Sequence, residues 1–362
     1  MRVPILALAG FALAQAQVAT LRPATEYSMP AHTVDGNSPG FWLNGWLTVF
    51  TSTGYPLAMS GSSLFGLTED VPPGVDPPDH YPLWIEAAWV DVDGTVYGWY
   101  HHEPGGVCPG KSLTAPRIGA LVSKDGGKTF QDLGIVLSSG DAPNCSAQNG
   151  FFAGGHGDFS VILDQDSEYF YFLFTNYGGA GQGVSVARMA FEDRANPKGT
   201  VWKYYQGDWN QPGEGGAVTP VFPASVSWAA PDTNSFWGPS VHFNTFLNQY
   251  VAVLNHACCK PGWPQEGIYL TFIPDLSQPS GWTAPTKILD AGKIGFAPGY
   301  YPQVFGTNPG ETDTLAGEVA RLFVKGVSKW EIVFSASTSY EYPEDPEPPP
   351  DDLFTQQSTG RP

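Results

Sequence analysis

GGHGDFSVILDQDSEYFYFLFTNYGG, residues Gly154–Gly179, is the stretch whose reading decides the fold. It parses into two strand-like runs, DFSVILD and YFYFLFTN, joined by the polar connection Gln165–Glu168, which is the pattern of a hairpin. A third run, GVSVARMAF, and a fourth, TVWKYYQ, follow it, so four consecutive short strands form a meander.

The same shape occurs twice more. Between Ile85 and Leu137 it is IEAAWVDVDGTVYGWYHHEP, RIGALVSKDGGKTF and LGIVL; from Trp237 it is WGPSVHFNTFLNQYVAVLNH, EGIYLTFIPDLSQPSGW and TKIL. Two weaker copies bracket these: NSPGFWLNGWLTVFTSTG with PLAMSG near the start, and GYYPQVFG with ARLFVKG and KWEIVFSA near the end. Five repeated four-stranded meanders predict an all-β, five-bladed β-propeller, each blade burying its faces on its neighbours. A large β-sandwich with coincidental meanders is the competing fold. Aligning the first strands makes Ser38, Glu86, Asp158, Gly238 and Tyr301 equivalent, and their uneven spacing implies long inserted loops. The run Gln17–Ser28 is expected to supply the missing outer strand of the last blade and close the ring.

Composition agrees with this class. Across 362 residues the chain is 42% hydrophobic, with 43 Gly and 34 Pro and only 14% charged residues, which suits short strands joined by turns. A net charge of -18 with no basic cluster disfavours nucleic acid and anionic membranes as partners. Residues 1–16 read as a secretory signal peptide: Arg2, an apolar run from Val3 to Ala14, and Ala14-Gln15-Ala16 as a small-x-small cleavage pattern. No later segment has the 18 or so uncharged apolar residues of a membrane span. The expected product is therefore secreted, extracellular or periplasmic, with a propeller domain over 17–337 and a Pro/acid-rich tail over 338–362. Export makes disulfides available to Cys108, Cys145, Cys258 and Cys259, which allow three pairings. Cys258 and Cys259 are adjacent and either bond to each other or take separate partners. Cys108 with Cys145 and Cys258 with Cys259 is the expected set.

In a propeller the first strand of each blade lines the axis, so strand starts and the loops after second strands converge on one face. Applied here, this gathers Asp35, Glu86, Asp158, His156, Trp237, Tyr300 and Tyr301 with His101, His102, Glu103, Asn176, Tyr177 and His256. Aromatic faces stack on sugar rings and carboxylates move protons, so the mixture predicts a carbohydrate site. Glycosidic cleavage needs a protonated carboxylic acid and a carboxylate base or nucleophile. Glu86, flanked by Trp84 and Trp89, is the expected acid, and Asp158 or Asp35 the base. The histidines, Glu103, Asn176 and the aromatics are expected to bind hydroxyls or tune the acids. No spacing is metal-specific; no cofactor is expected, and a central ion is left open.

These openings resemble a known family. HGDFSV is similar to the His-Asp-Pro-Ser-Val strand opening of family 43 glycoside hydrolases, the arabinanase and β-xylosidase group. WGPSVH resembles their Trp-Ala-Pro-Asp opening, IEAAW their Glu-Gly-Pro opening, and PDLSQPSGW their third-strand Asp-Leu followed by Trp. The resemblance covers about 250 residues and implies a five-bladed glycoside hydrolase with an Asp base, a pKa-tuning Asp and a Glu acid on successive blades. Here Glu86 precedes Asp158, and Ser240 stands where WGPSV would carry the third carboxylate. SKDGGKTF, Ser123–Phe130, resembles the Asp-box of sialidases, a structural turn between third and fourth strands. A sialidase would need three arginines around the substrate carboxylate, and only Arg117 and Arg188 lie on candidate third strands. Two further readings compete with the glycosidase: a non-catalytic carbohydrate-binding propeller, and a polysaccharide lyase pairing His256 or His156 with Tyr177 or Tyr300.

Overall fold

The structure, a computed structural model, describes residues 17–31, 34–294 and 300–336. The leader and the tail read from the sequence lie outside them. Five separate sheets follow one another along the chain, so the fold is a five-bladed β-propeller and the sandwich is ruled out. Their innermost strands are Gly40–Leu43, Leu83–Val90, His156–Leu163, Asn234–Asn244 and Pro302–Gly306.

The apolar runs fill both faces of a blade because each blade is packed between two others. Along Tyr169–Asn176 successive side chains point to opposite faces. Phe170, Phe172 and Phe174 enter the core shared with the second blade, and Tyr171 and Leu173 the core shared with the fourth. Trp99 of the second blade packs against Phe170 and Phe172, with ring centroids 5.0 and 5.9 Å apart. Five such inter-blade cores form a closed ring. In the last of them Phe305 and Phe323 of the fifth blade meet Leu47, Val49 and Met59 of the first.

Ring closure follows the expected route. Gln17–Ser28 pairs antiparallel with Val327–Ala336, from Gln17 opposite Ala336 to Ser28 opposite Val327, and becomes the outer strand of the fifth blade. The axis is cross-tied as well. Ser38 and Gln303 exchange hydrogen bonds of 3.0 Å, joining blades one and five. Asn37 Nδ2 donates to the carbonyls of Phe159 (2.7 Å) and Pro239 (2.9 Å) in blades three and four.

The Asp-box is the tight turn its sequence implies. Asp125 accepts from the Lys128 and Thr129 amides and the Thr129 hydroxyl, while Gly126 and Gly127 adopt φ of 76° and 88°. Desolvation acts to raise the Asp125 carboxyl, but these bonds to its ionised form together outweigh it and hold it at about 2. Both expected disulfides are present: Cys108–Cys145 and the vicinal Cys258–Cys259. The meander reading did not resolve several added short strands, among them Gly74–Asp76 and Asp208–Pro212.

Candidate active site at the propeller axis

Three innermost strands are bulged at the same place. Register breaks between Ile85 and Ala87, between Gly157 and Phe159, and between Trp237 and Ser240. The positions aligned from sequence, Glu86, Asp158 and Gly238, fall inside these breaks. A bulge leaves one residue unpaired and re-aims its side chain. Asp158 and Gly238 take left-handed φ of 38° and 54°; a non-glycine held there stores backbone strain, a recurrent feature of functional sites.

The bulges bring Glu86 and Asp158 to one point under His101. One oxygen of each carboxylate and one ring nitrogen of His101 lie within 4.8 Å of one another. Glu86 is 2% exposed and Asp158 4%. Glu86 Oε2 accepts from the Phe159 amide at 2.8 Å, and Oε1 lies 3.5 Å from His101 Nδ1. Nδ1 also faces the Asp158 amide at 3.1 Å, and Nε2 lies 3.3 Å from Glu103 Oε1. Tyr177 donates its hydroxyl to Asp158 Oδ2. Among the described residues, this set of two oxygens and one nitrogen is a group that could hold a cation.

Burial dominates the electrostatics. Desolvation raises the Glu86 carboxyl, against the opposing pull of His101. It pushes Asp158 up to about 7, with the His101 field opposing and Glu86 reinforcing. For His101 burial acts downward, but hydrogen bonding to Glu103 and Glu86 and the field of Asp158 override it, and its pKa stands well above the usual imidazole value. Two buried carboxyls this close resist ionising together. Asp35 is exposed at the mouth. Desolvation raises its carboxyl and Lys325 lowers it, and solvent screens the result.

The aromatic wall is layered. Tyr300 and Tyr301 stand partly exposed, with Trp237 buried behind them at centroid distances of 5.8 and 5.6 Å. Trp237 thus backs the wall. Trp263, which the sequence reading passed over, packs among Tyr177, Trp228 and Trp237. Its only sequence signal is an aromatic in the loop after the vicinal cysteines, where a glycine-proline context looks like an ordinary turn.

Other expected site residues go elsewhere. His102 alternates away from His101 and sits against His80, its Nδ1 3.2 Å from the Pro82 carbonyl. His256 is engaged by Glu266 and Asn234, both at 3.1 Å. His156 and Asn176 line a different cavity. Trp89 lies in the core shared with the third blade, near Phe170 and Phe191. Only Trp84 approaches the acid cluster, 5.4 Å from the His101 ring.

Glycines beside the acid cluster serve close chain packing. A Cβ on Gly157 would lie 2.6 Å from His101 Cε1, one on Gly155 2.5 Å from the Pro116 nitrogen, and one on Gly36 2.8 Å from Glu86 Oε1. Gly157 is what lets the His101 ring slide in beside Asp158.

No family model matches the sequence, and no curated protein matches it. Among solved structures the chain is similar to a thermostable family-43 glycoside hydrolase, at 12% identity, covering 87% of this chain and 89% of that one, with a TM-score of 0.49. It is also similar to the endo-arabinase of Bacteroides thetaiotaomicron VPI-5482, at 11% identity over 87% of this chain and 98% of that chain, TM-score 0.49. An exo-beta-1,3-galactanase from Phanerochaete chrysosporium crystallised with beta-1,3-galactotriose matches at 12% identity over 86% of this chain, TM-score 0.49, and this chain spans 64% of its length. At such identities the likeness concerns the propeller architecture.

Proposed function

We propose that this chain is a secreted glycoside hydrolase acting on poly- or oligosaccharides at the propeller axis. The observation that carries the reading is the buried Glu86–Asp158 pair held around His101. A carboxyl kept protonated near neutral pH is what protonation of a glycosidic oxygen requires.

The proposed roles divide as follows. With oxygens within 4.8 Å, the pair is too close to hold an attacking water and a sugar ring between its members, since inverting enzymes separate the two carboxyls by about 6.5–9.5 Å. The pair therefore acts as one acid: Glu86 and Asp158 hold a single proton between them and deliver it to the leaving oxygen. Asp35, exposed at the mouth, is the base that activates water. Tyr300 and Tyr301 offer ring faces for the sugar. The Cys108–Cys145 disulfide supports export, and among the described residues no helix is long and apolar enough to cross a membrane.

The test is reducing-sugar release from a polysaccharide panel by the native protein beside Glu86→Gln, Asp158→Asn and Asp35→Asn, each checked for native melting. Loss in all three supports the assignment, and NMR of the first-formed anomer reads the stereochemistry. The near-complete burial of both acids and the glycine at position 238 favour a second reading, a carbohydrate-binding propeller without catalysis. Retained binding with no release on the same panel would establish that one instead.

A further inference from the structure

On the outer part of the third blade a cavity of about 350 Å³ opens between Tyr169, Arg188, Asp193, Thr200, Trp202 and Trp209. Small-molecule sites begin at about 300 Å³. The cavity lies among the strands Gly183–Ala190, Val201–Tyr205 and Asp208–Pro212, two or more strands out from the innermost strand that carries Asp158.

Strand pairing sets its main groups on one surface. Arg188 stands opposite Trp202 on one side and Tyr171 on the other, and facing residues of an antiparallel pair share a face. Trp202 is 45% exposed, so its indole is open to a ligand. The Arg188 guanidinium is clamped between two rings, 4.2 Å over Tyr169 and 4.6 Å over Trp209. Rings on both faces leave its planar fork of five N–H donors pointing out along the edge. Tyr171 takes a hydrogen bond from that fork, and the remaining donors are held in place by stacking before any ligand arrives. Asp193 adds a carboxylate to the walls, and Thr200, whose hydroxyl donates to the Pro197 carbonyl, adds an acceptor oxygen.

An exposed indole beside fixed donors and acceptors suits a sugar, whose ring stacks while its hydroxyls both donate and accept. Charge narrows the choice. An adjoining cavity of about 370 Å³ shares Tyr169 and Arg188 and carries Asp164, Asp166, Glu168 and Asp275. With Asp193 these acids repel a uronate or sulfated chain, and Arg188, on the wall common to both cavities, repels an ammonium. The common wall also lets one chain of several sugar units reach both cavities.

We infer that this face is a noncatalytic binding site for a neutral oligosaccharide, stacked on Trp202 and hydrogen-bonded to Arg188 and Asp193. It stands on its own chemistry, whether or not the axis cleaves glycosides.

The test follows the Trp202 indole N–H, assigned by its loss in Trp202→Phe, in 15N-edited NMR of the full chain. The probes are tetrasaccharides of xylose, arabinose and galactose, with tetramers of galacturonate and glucosamine as charged controls. The expected result is a saturable shift with a neutral tetrasaccharide. The shift should persist in Glu86→Gln. Binding should weaken at least about tenfold, close to 1.4 kcal/mol, in Asp193→Ala, a partly exposed position whose native fold is checked by melting. No shift with any neutral tetrasaccharide overturns the inference, as does a charged tetramer that binds equally tightly. So does a shift lost in Glu86→Gln, which would place the sugar at the axis, or one unchanged in Asp193→Ala.

Discussion

Replacing Asp158 by Asn should trade activity for stability above neutral pH. Burial holds the Asp158 carboxyl at about 7 against an ordinary 3.8, which makes its ionised form costlier in the folded protein by roughly 4 kcal/mol. Because the proton is shared with Glu86, about 2–4 kcal/mol is the working range. The sign follows from which state binds protons more tightly. A raised carboxyl pKa means the folded protein keeps the proton longer, so this stability is fully present below about 4 and is lost as pH rises through about 7. Asn mimics the protonated form at every pH and keeps a partner for Tyr177. Urea unfolding followed by tryptophan fluorescence at pH 5 and pH 8 reads both proteins. The stability difference should move in favour of Asp158→Asn by about 1–3 kcal/mol between those pH values, while glycosidase activity falls to background. An identical difference at both pH values would mean that Asp158 ionises normally, and the shared-proton argument would collapse.

Activity of the native protein should decline as pH rises through about 7, as the acid pair loses its proton; a pH–rate profile flat through that region contradicts it. Gly157→Ala places a Cβ 2.6 Å from His101 Cε1 and 2.9 Å from Pro116 Cβ, and should cost about 1–3 kcal/mol together with most of the activity, read by melting and by sugar release. Trp99→Ala empties the core between blades two and three and should cost about 3–5 kcal/mol in urea unfolding; a cost under about 1 kcal/mol would deny that core its part in holding the blades together. Changing both Cys108 and Cys145 to Ala opens a loop with a sequence separation of 37 and should cost roughly 3–4 kcal/mol. Thermal scans that coincide with the native protein would refute that.

Much of the architecture was legible without coordinates. Hairpin turns and apolar runs are local features, so four-stranded meanders and their fivefold repetition stand out along the chain. Even the closure by Gln17–Ser28 could be anticipated, because the last unit lacked an outer strand and an unassigned run was waiting at the other end. Strand starts face the axis in any propeller, which is why Glu86 and Asp158 could be named as a pair.

The partners of that pair were not legible, because they depend on packing between blades. In a regular strand His156 and Asp158 would share a face, and the sequence reading put both at the axis. The bulge between Gly157 and Phe159 breaks the alternation, leaving His156 against Phe174, 4.8 Å between ring centres, while Asp158 turns to the acids. A one-residue irregularity reverses which face a side chain takes, and it is invisible in a pattern of period two. Gly157 tells the same story: only the approach of His101 from another blade explains why a glycine stands there. Sequence by itself determined the repeat and the residues at the strand mouths. Tertiary structure decided which of those residues meet, since a carboxyl's pKa and an imidazole's partners are set by atoms brought together across blade boundaries.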